Sequence, residues 1–220
     1  MEYRRVGATG LKISAVSIGG WINFGGTIGE DAARSVVRAA VDHGVNFIDL
    51  ADVYARGEAE RVVGRMLADY DRSKLVLSSK VFWPMSDDPN DRGLGRKHIM
   101  ESVERSLKNL RTEYLDIYFC HREDPEVPLE ETARAMDDLV HQGKILYWGT
   151  SVWPAASIEA AHRLADERGI YAPMVEQPQY SLLDRSIEES VMPTAKRLGV
   201  GLVVWSPLAG GMLPCKYNQG

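Results

Sequence analysis

The sequence predicts an α/β fold: a (β/α)8 TIM-type barrel, incomplete, with seven βα strands in view and an N-terminal hairpin over the barrel floor. Three observations lead there. Short apolar, β-branched runs recur at steps of about 31 residues, the length of one βα unit. Segments of helical period lie between them, and several runs are continuously apolar, as in Val45-Asn46-Phe47-Ile48 and Gly201-Leu202-Val203-Val204-Trp205, which suits strands covered on both faces. No Gly-x-Gly-x-x-Gly follows any run and no change of composition divides the chain, which argues against a doubly wound sheet. Residues 1–220 read as one domain.

Taken in order, residues 3–14 with the turn Gly7-Ala8-Thr9-Gly10 form the hairpin. Strands are expected within 15–21, 45–51, 74–82, 115–121, 144–152, 174–181 and 200–208. The first helix, 31–43, places Ala33, Val36, Val37, Ala40 and Val41 on one face; Thr27 and Glu30 have the spacing of a capping box, and Gly44 ends it. The second, 58–67, presents Val62, Val63, Met66 and Leu67; the third, 97–110, presents Met100, Val103, Leu107 and Leu110. The fourth, 130–142, presents Ala133, Met136, Leu139 and Val140, and Gly143 stops it. Pro154 opens the first turn of the fifth, which carries Ile158, Ala161, Leu164 and Ala165 and closes at Gly169. The sixth spans 188–198 and stops at Gly199.

The 26 basic and 31 acidic residues give a net charge of −5, which argues against a nucleic-acid or polybasic membrane protein. No apolar run approaches the ~18–20 residues of a membrane span, and none of signal-peptide length follows the basic start, so no membrane insertion and a cytoplasmic location are expected. Cys120 and Cys215 stand far apart in no metal-ligand spacing and read as free thiols. Without a His/Cys cluster or Gly-x-Ser-x-Gly, metal and hydrolase readings fail.

In a barrel, chemistry sits at the C-terminal ends of strands. Asp49, Tyr54, Lys80 and His121 converge there from three neighbouring strands. Lys80 ends the neutral run Leu75-Val76-Leu77-Ser78-Ser79, where a buried ammonium needs a carboxylate such as Asp49. Of the five histidines, His43, His98, His141 and His162 are expected to be solvated, and only His121 ends a core strand. The cluster suits carbonyl reduction. A phenol of pKa ~10 is a poor acid at neutral pH, but a nearby ammonium lowers that value. His121 would position the carbonyl oxygen and share the proton, while the hydride must come from a nicotinamide.

These residues, with Gly19-Gly20-Trp21-Ile22-Asn23-Phe24-Gly25-Gly26, residues 47–54, Arg92-Gly93-Leu94-Gly95-Arg96-Lys97-His98-Ile99, residues 121–131, Tyr147-Trp148-Gly149-Thr150-Ser151, Glu176-Gln177-Pro178-Gln179-Tyr180 and Trp205-Ser206-Pro207-Leu208-Ala209, resemble the aldo-keto reductases. Within them, the chain is similar to the branch that includes voltage-gated potassium channel β subunits. The resemblance implies NADP(H)-dependent reduction of aldehydes or ketones, with Asp49, Tyr54, Lys80 and His121 as the catalytic tetrad. It implies further that Ser151 and Gln177 hold the nicotinamide carboxamide, assisted by Asp49, and that Tyr180 stacks on the ring. Trp205, Ser206, Pro207, Leu208, Ala209 and Gly211 would wrap the pyrophosphate. Trp21 would line the nicotinamide and substrate end, with Tyr54, His121 and, from the loop 82–97, Trp83 around the substrate. The resemblance implies that His121 favours an active enzyme, because animal channel β subunits often carry another residue there.

The family runs on for about a hundred residues more, through an eighth strand and the segment that grips the adenosine 2′-phosphate. The resemblance therefore implies a barrel open between its seventh and first strands, with self-association at the gap and weaker discrimination for NADPH. Three alternatives stand beside the reductase: a regulatory module that joins a channel-type protein and senses NADP(H), an inactive truncated reductase, and a Schiff-base lyase using Lys80. The expected partners are a small-molecule carbonyl substrate and either a second copy or a channel-type protein.

Overall fold

The computed structural model describes residues 1–214 and 216–218. A hairpin of β1 (Tyr3–Arg5) and β2 (Lys12–Ser14) precedes a seven-stranded parallel sheet. Its strands follow chain order: β3 (Ile18–Gly19), β4 (Phe47–Asp49), β5 (Val76–Val81), β6 (Leu115–Cys120), β7 (Ile145–Thr150), β8 (Val175–Glu176) and β9 (Gly201–Leu202). Each βα crossover puts a helix outside: α1 (Glu30–Asp42), α2 (Glu58–Met66), α3 (Arg96–Leu110), α4 (Leu129–His141), α5 (Ala155–Arg168) and α6 (Val191–Leu198). Among the described residues no ladder joins β9 to β3. The sheet is thus a curled half-barrel with seven of a (β/α)8 barrel's strands.

Two apolar layers hold it. Inside the curl lie Phe47, Val76, Ile117, Phe119, Val175 and Val203, closed from below by Val6 and Ile13 of the hairpin. The floor fits because Gly7 (φ +53°) lets the turn press on the chain after α6: a Cβ there would stand 2.2 Å from the Gly199 carbonyl oxygen. Outside the sheet, Val63, Met66, Val103, Leu110, Met136 and Ile158 pack against outward residues such as Leu77, Tyr118 and Trp148.

Every strand lies within its predicted run but is shorter, because the ends of those runs enter the βα loops where no neighbour completes the ladder. The helices lie within about three residues of expectation, with local corrections. Thr27 caps nothing: Gly29 is the N-cap of α1, and the Thr27 hydroxyl turns back to Ile22 O and Asn23. Val36 is half-exposed, since α1 buries only Ala33 and Val37. Pro154 is the N-cap of α5, one position before the first turn. A separate turn, Ser186–Glu188, precedes α6, which starts three residues later than expected. Pro193 fits its first turn, where amide hydrogens lack partners anyway.

His98 is buried, not solvated, because it faces inward from the first turn of α3; its Nδ1 lies 3.3 Å from Asp91 and burial pulls its pKa down. His162 is also half-buried, its Nε2 2.8 Å from Pro173 O. Cys120 is a free, buried thiol, whereas Cys215 lies outside the described residues. No helix among the described residues is long and apolar enough to cross a membrane.

Candidate active site

The strand-end residues of β4, β5 and β6 meet in space. Register pairs Asp49 with Ser78, and period two puts Ser78 and Lys80 on one face, pointing inward. The Lys80 ammonium is fully buried. Its Nζ donates to Asp49 Oδ2 at 2.7 Å, to the Leu50 carbonyl at 2.6 Å and to the Tyr54 phenol oxygen at 3.3 Å. The Ser78 hydroxyl donates to the other Asp49 oxygen at 2.5 Å, a partner that sequence reading missed although it shares the Lys80 face. Burial is the largest influence on Lys80 and pulls its pKa down, yet Asp49 and Tyr54 together outweigh it and hold the group above the ordinary lysine range. A lysine so protonated is no nucleophile, which argues against a Schiff-base lyase.

Tyr54 sits on an unusual turn. After it Ala55 (φ 48°), Arg56 (φ 52°) and Gly57 (φ +81°) are all left-handed, a strained path for two residues with side chains. Its phenol departs from expectation: burial pushes the pKa above the ordinary value, and the opposing pull of Lys80 does not overcome it. The loss of hydration around the phenolate outweighs one ammonium at 3.3 Å. Tyr54 therefore stays a proton-bearing donor.

His121 follows β6, its ring centre 5.9 Å from that of Tyr54, edge to face. Its pKa is pushed down to about 2, chiefly by burial, then by Lys80 and Arg122. That shift favours the neutral imidazole, which can orient a carbonyl oxygen through one N–H. Its buried Nδ1 has no partner among the described residues.

The remaining predicted positions lie along β7 to β9. Ser151 is buried and donates to the Gln177 carbonyl at 2.9 Å; Gln177 is buried at the end of β8. The half-buried Tyr180 donates its hydroxyl to Glu188 at 2.6 Å, and its amide meets Trp205 O at 3.5 Å. A bridge from Gln179 to Trp205 carries the β8–β9 pairing to the rim. Pro207 and Leu208 are exposed, and the loop turns through positive φ at Ser206, Ala209, Gly210 and Gly211, a mixed-hand backbone of the kind that forms anion-binding concavities. Trp83 packs edge to face on His121 with centres 6.2 Å apart. Trp21 stands 61% exposed and joins no aromatic pair with that group among the described residues.

Two further residues escaped sequence reading. Glu176, beside Gln177, is fully buried and accepts from Thr150 Oγ1 at 2.5 Å and Trp153 N–H at 3.3 Å; burial pushes its pKa up to about 7. Arg122, beside His121, is half-buried over Trp83. A strand-end position was the only signal for either.

A family model described as the aldo/keto reductase family matches residues 15–220. The chain belongs to that family. Its relatives include a protein of Arabidopsis thaliana named as a probable voltage-gated potassium channel subunit beta, 44% identical over the whole of this chain and 68% of its own length. A protein of the same name from Oryza sativa subsp. japonica is 43% identical over the whole of this chain and 68% of its own length. One from Schizosaccharomyces pombe, named as a putative subunit of the same kind, is 42% identical over the whole of this chain and 65% of its own length. Family membership supports an oxidoreductase-type function.

Proposed function

We propose that this family member reduces aldehydes or ketones to alcohols with NADP(H), using Tyr54 as general acid. The observation that carries the reading is the fully buried Lys80, held at once by Asp49, Leu50 O and the Tyr54 phenol. Its partners keep it an ammonium facing the oxygen that must give up a proton.

The chain's own residues supply the acid half of the reaction. Tyr54, protonated through neutral pH, donates its O–H to the carbonyl oxygen as negative charge develops there. The Lys80 ammonium stabilises the phenolate left behind, and Asp49, anchored by Ser78, keeps that ammonium charged and aimed. Neutral His121 offers one N–H to orient the carbonyl oxygen. Trp83, packed edge to face on His121, flanks the substrate, and the exposed Trp21 stands at the end of β3 on the same rim.

The residues along β7 to β9 fit a nicotinamide dinucleotide. In this reading Ser151 and Gln177 hold the carboxamide, with Asp49 beside it, and Tyr180 stacks on the ring. The loop Trp205, Ser206, Pro207, Leu208, Ala209 and Gly211 faces the pyrophosphate. The bound cofactor supplies the hydride that no side chain can provide. The test follows NADPH oxidation with 4-nitrobenzaldehyde: turnover that disappears in Tyr54→Phe supports the reading, and turnover retained in that variant removes Tyr54 as the acid.

A second reading rests on the names of the relatives: a regulatory subunit that joins a channel-type protein in the cytoplasm and uses NADP(H) as a signal. Co-purification with a channel's cytoplasmic domain, equal for the wild type and Tyr54→Phe, would favour it.

A further inference from the structure

On one wall of the rim, four groups stand in a row that the reductase chemistry only half uses. The Tyr54 and His121 ring centres are 5.9 Å apart, those of His121 and Trp83 are 6.2 Å apart, and the Arg122 guanidinium carbon lies 5.6 Å from the Trp83 ring centre. Arg122 Nη1 also donates to the His121 carbonyl, which fixes the base of the guanidinium beside the proposed substrate orienter.

Among the described residues no carboxylate is hydrogen-bonded to this cation, and Glu176 acts on it only through space, offsetting part of the burial that lowers its pKa. Arg122 forms no ion pair among the described residues, although Glu123 and Asp124 follow it directly in the sequence. Glu123 accepts from Ser157, and Asp124 accepts from the Leu94 and Glu126 amides. In the facing loop Asp91 takes Ser86 and Arg105. Glu176, the buried acid nearest in the sheet, spends its oxygens on Thr150 and the Trp153 amide. Elsewhere many arginines are paired, Arg72 with Asp116 at 2.7 Å and Arg96 with Asp138 at 2.5 Å among them. With Nη1 on the His121 carbonyl, this half-buried guanidinium on an aromatic face keeps Nε and Nη2, one edge of its donor fork, for a carboxylate.

We propose that Arg122 selects carbonyl substrates bearing a carboxylate about one aromatic ring away from the reacting carbon. The proposal rests on the reading of this rim as a carbonyl reductase. With the carbonyl oxygen at Tyr54 and His121, the body of the substrate lies along Trp83 and its carboxylate meets the guanidinium. The arrangement discriminates between acids and neutral carbonyls of one shape, and not between carbonyl reactivities.

The test compares kcat/KM for 4-carboxybenzaldehyde and 4-nitrobenzaldehyde, which share a ring and an electron-poor carbonyl. The wild type is expected to favour the acid, and the ratio should fall by about tenfold or more in Arg122→Gln and recover in part in Arg122→Lys, a charge without the fork. An unchanged ratio overturns the proposal. A KM for NADPH that rises in Arg122→Gln as much as that for the acid also overturns it, because the guanidinium would then serve the cofactor. Binding of benzoate against benzamide, titrated by ligand-observed NMR, separates this claim from the reductase reading. Should neither aldehyde be reduced, benzoate binding that Arg122→Gln abolishes still supports the anion site, and equal binding of the two probes counts against it.

Discussion

Along the rim of β4 to β6, Asp49, Lys80 and Tyr54 hold one another through contacts of 2.5 to 3.3 Å that involve Ser78 and the Leu50 carbonyl. Along β7 to β9 the polar groups are held differently: Ser151 reaches a backbone carbonyl, Tyr180 reaches Glu188 on the far side, and Pro207 and Leu208 stand exposed. The first half is a closed circuit of charge, ordered by its own hydrogen bonds. The second is a shelf whose shape comes from backbone, with left-handed turns at Ser206, Ala209, Gly210 and Gly211. Acid chemistry needs a preset proton donor, whereas a ligand site needs surface left free.

Substitutions should therefore act differently on the two halves. Tyr54→Phe is expected to lower turnover by about 10²–10⁴-fold while NADPH binding, read by tryptophan fluorescence, stays within about twofold. Lost binding would mean that the phenol belongs to the shelf. Lys80→Met should lower turnover comparably and also cost a few kcal/mol of stability, because Asp49 loses its buried counter-charge. A Lys80→Met protein that melts like the wild type would show the circuit to be loose.

The third expectation concerns pH. Burial lifts the folded pKa of Glu176 to about 7, above the ~4.3 of an unfolded glutamate. Between those values the folded chain holds a proton that the unfolded chain has released. Stability from this group therefore falls as pH rises through that window and levels off above it. Melting temperatures at about pH 5 and about pH 8 should differ less in Glu176→Gln than in the wild type. Asp52, likewise pushed up to about 7 by burial, leaves the residual slope. An equal slope in both proteins would mean that Glu176 is ionised in the fold. The smallest effect belongs to the shelf: Ser151→Ala loses one hydrogen bond, about 1 kcal/mol, and should weaken NADPH binding about fivefold with turnover at saturation unchanged. A fall in saturated turnover would join Ser151 to the chemistry.

The same contrast explains what the sequence made legible. Lys80 announced itself as a charge in an apolar strand, and its demand for Asp49 follows from desolvation alone. Strand positions were legible because burial on both faces leaves continuous apolar runs. The direction of the Tyr54 pKa was not, since it depends on how much water reaches the ring, which several elements decide together. His98 looked solvated because helical period alone does not reveal that loop 82–97 covers the start of α3. Arg122 and Glu176 escaped for a related reason: a charge beside a strand end reads as solvated until its neighbours are known. The failed cap at Thr27 shows a local rule yielding to the turn that carries Phe24 into the core.

The most direct measurement is the fate of a labelled hydride. The chain is mixed with 4-nitrobenzaldehyde and NADPH carrying deuterium at the transferred position, and the alcohol is examined by NMR. The account predicts one deuterium on the carbinol carbon with the wild type and about a hundredfold less alcohol, or lower still, with Tyr54→Phe over the same time. Alcohol without deuterium, or labelled alcohol formed equally by both proteins, would contradict it.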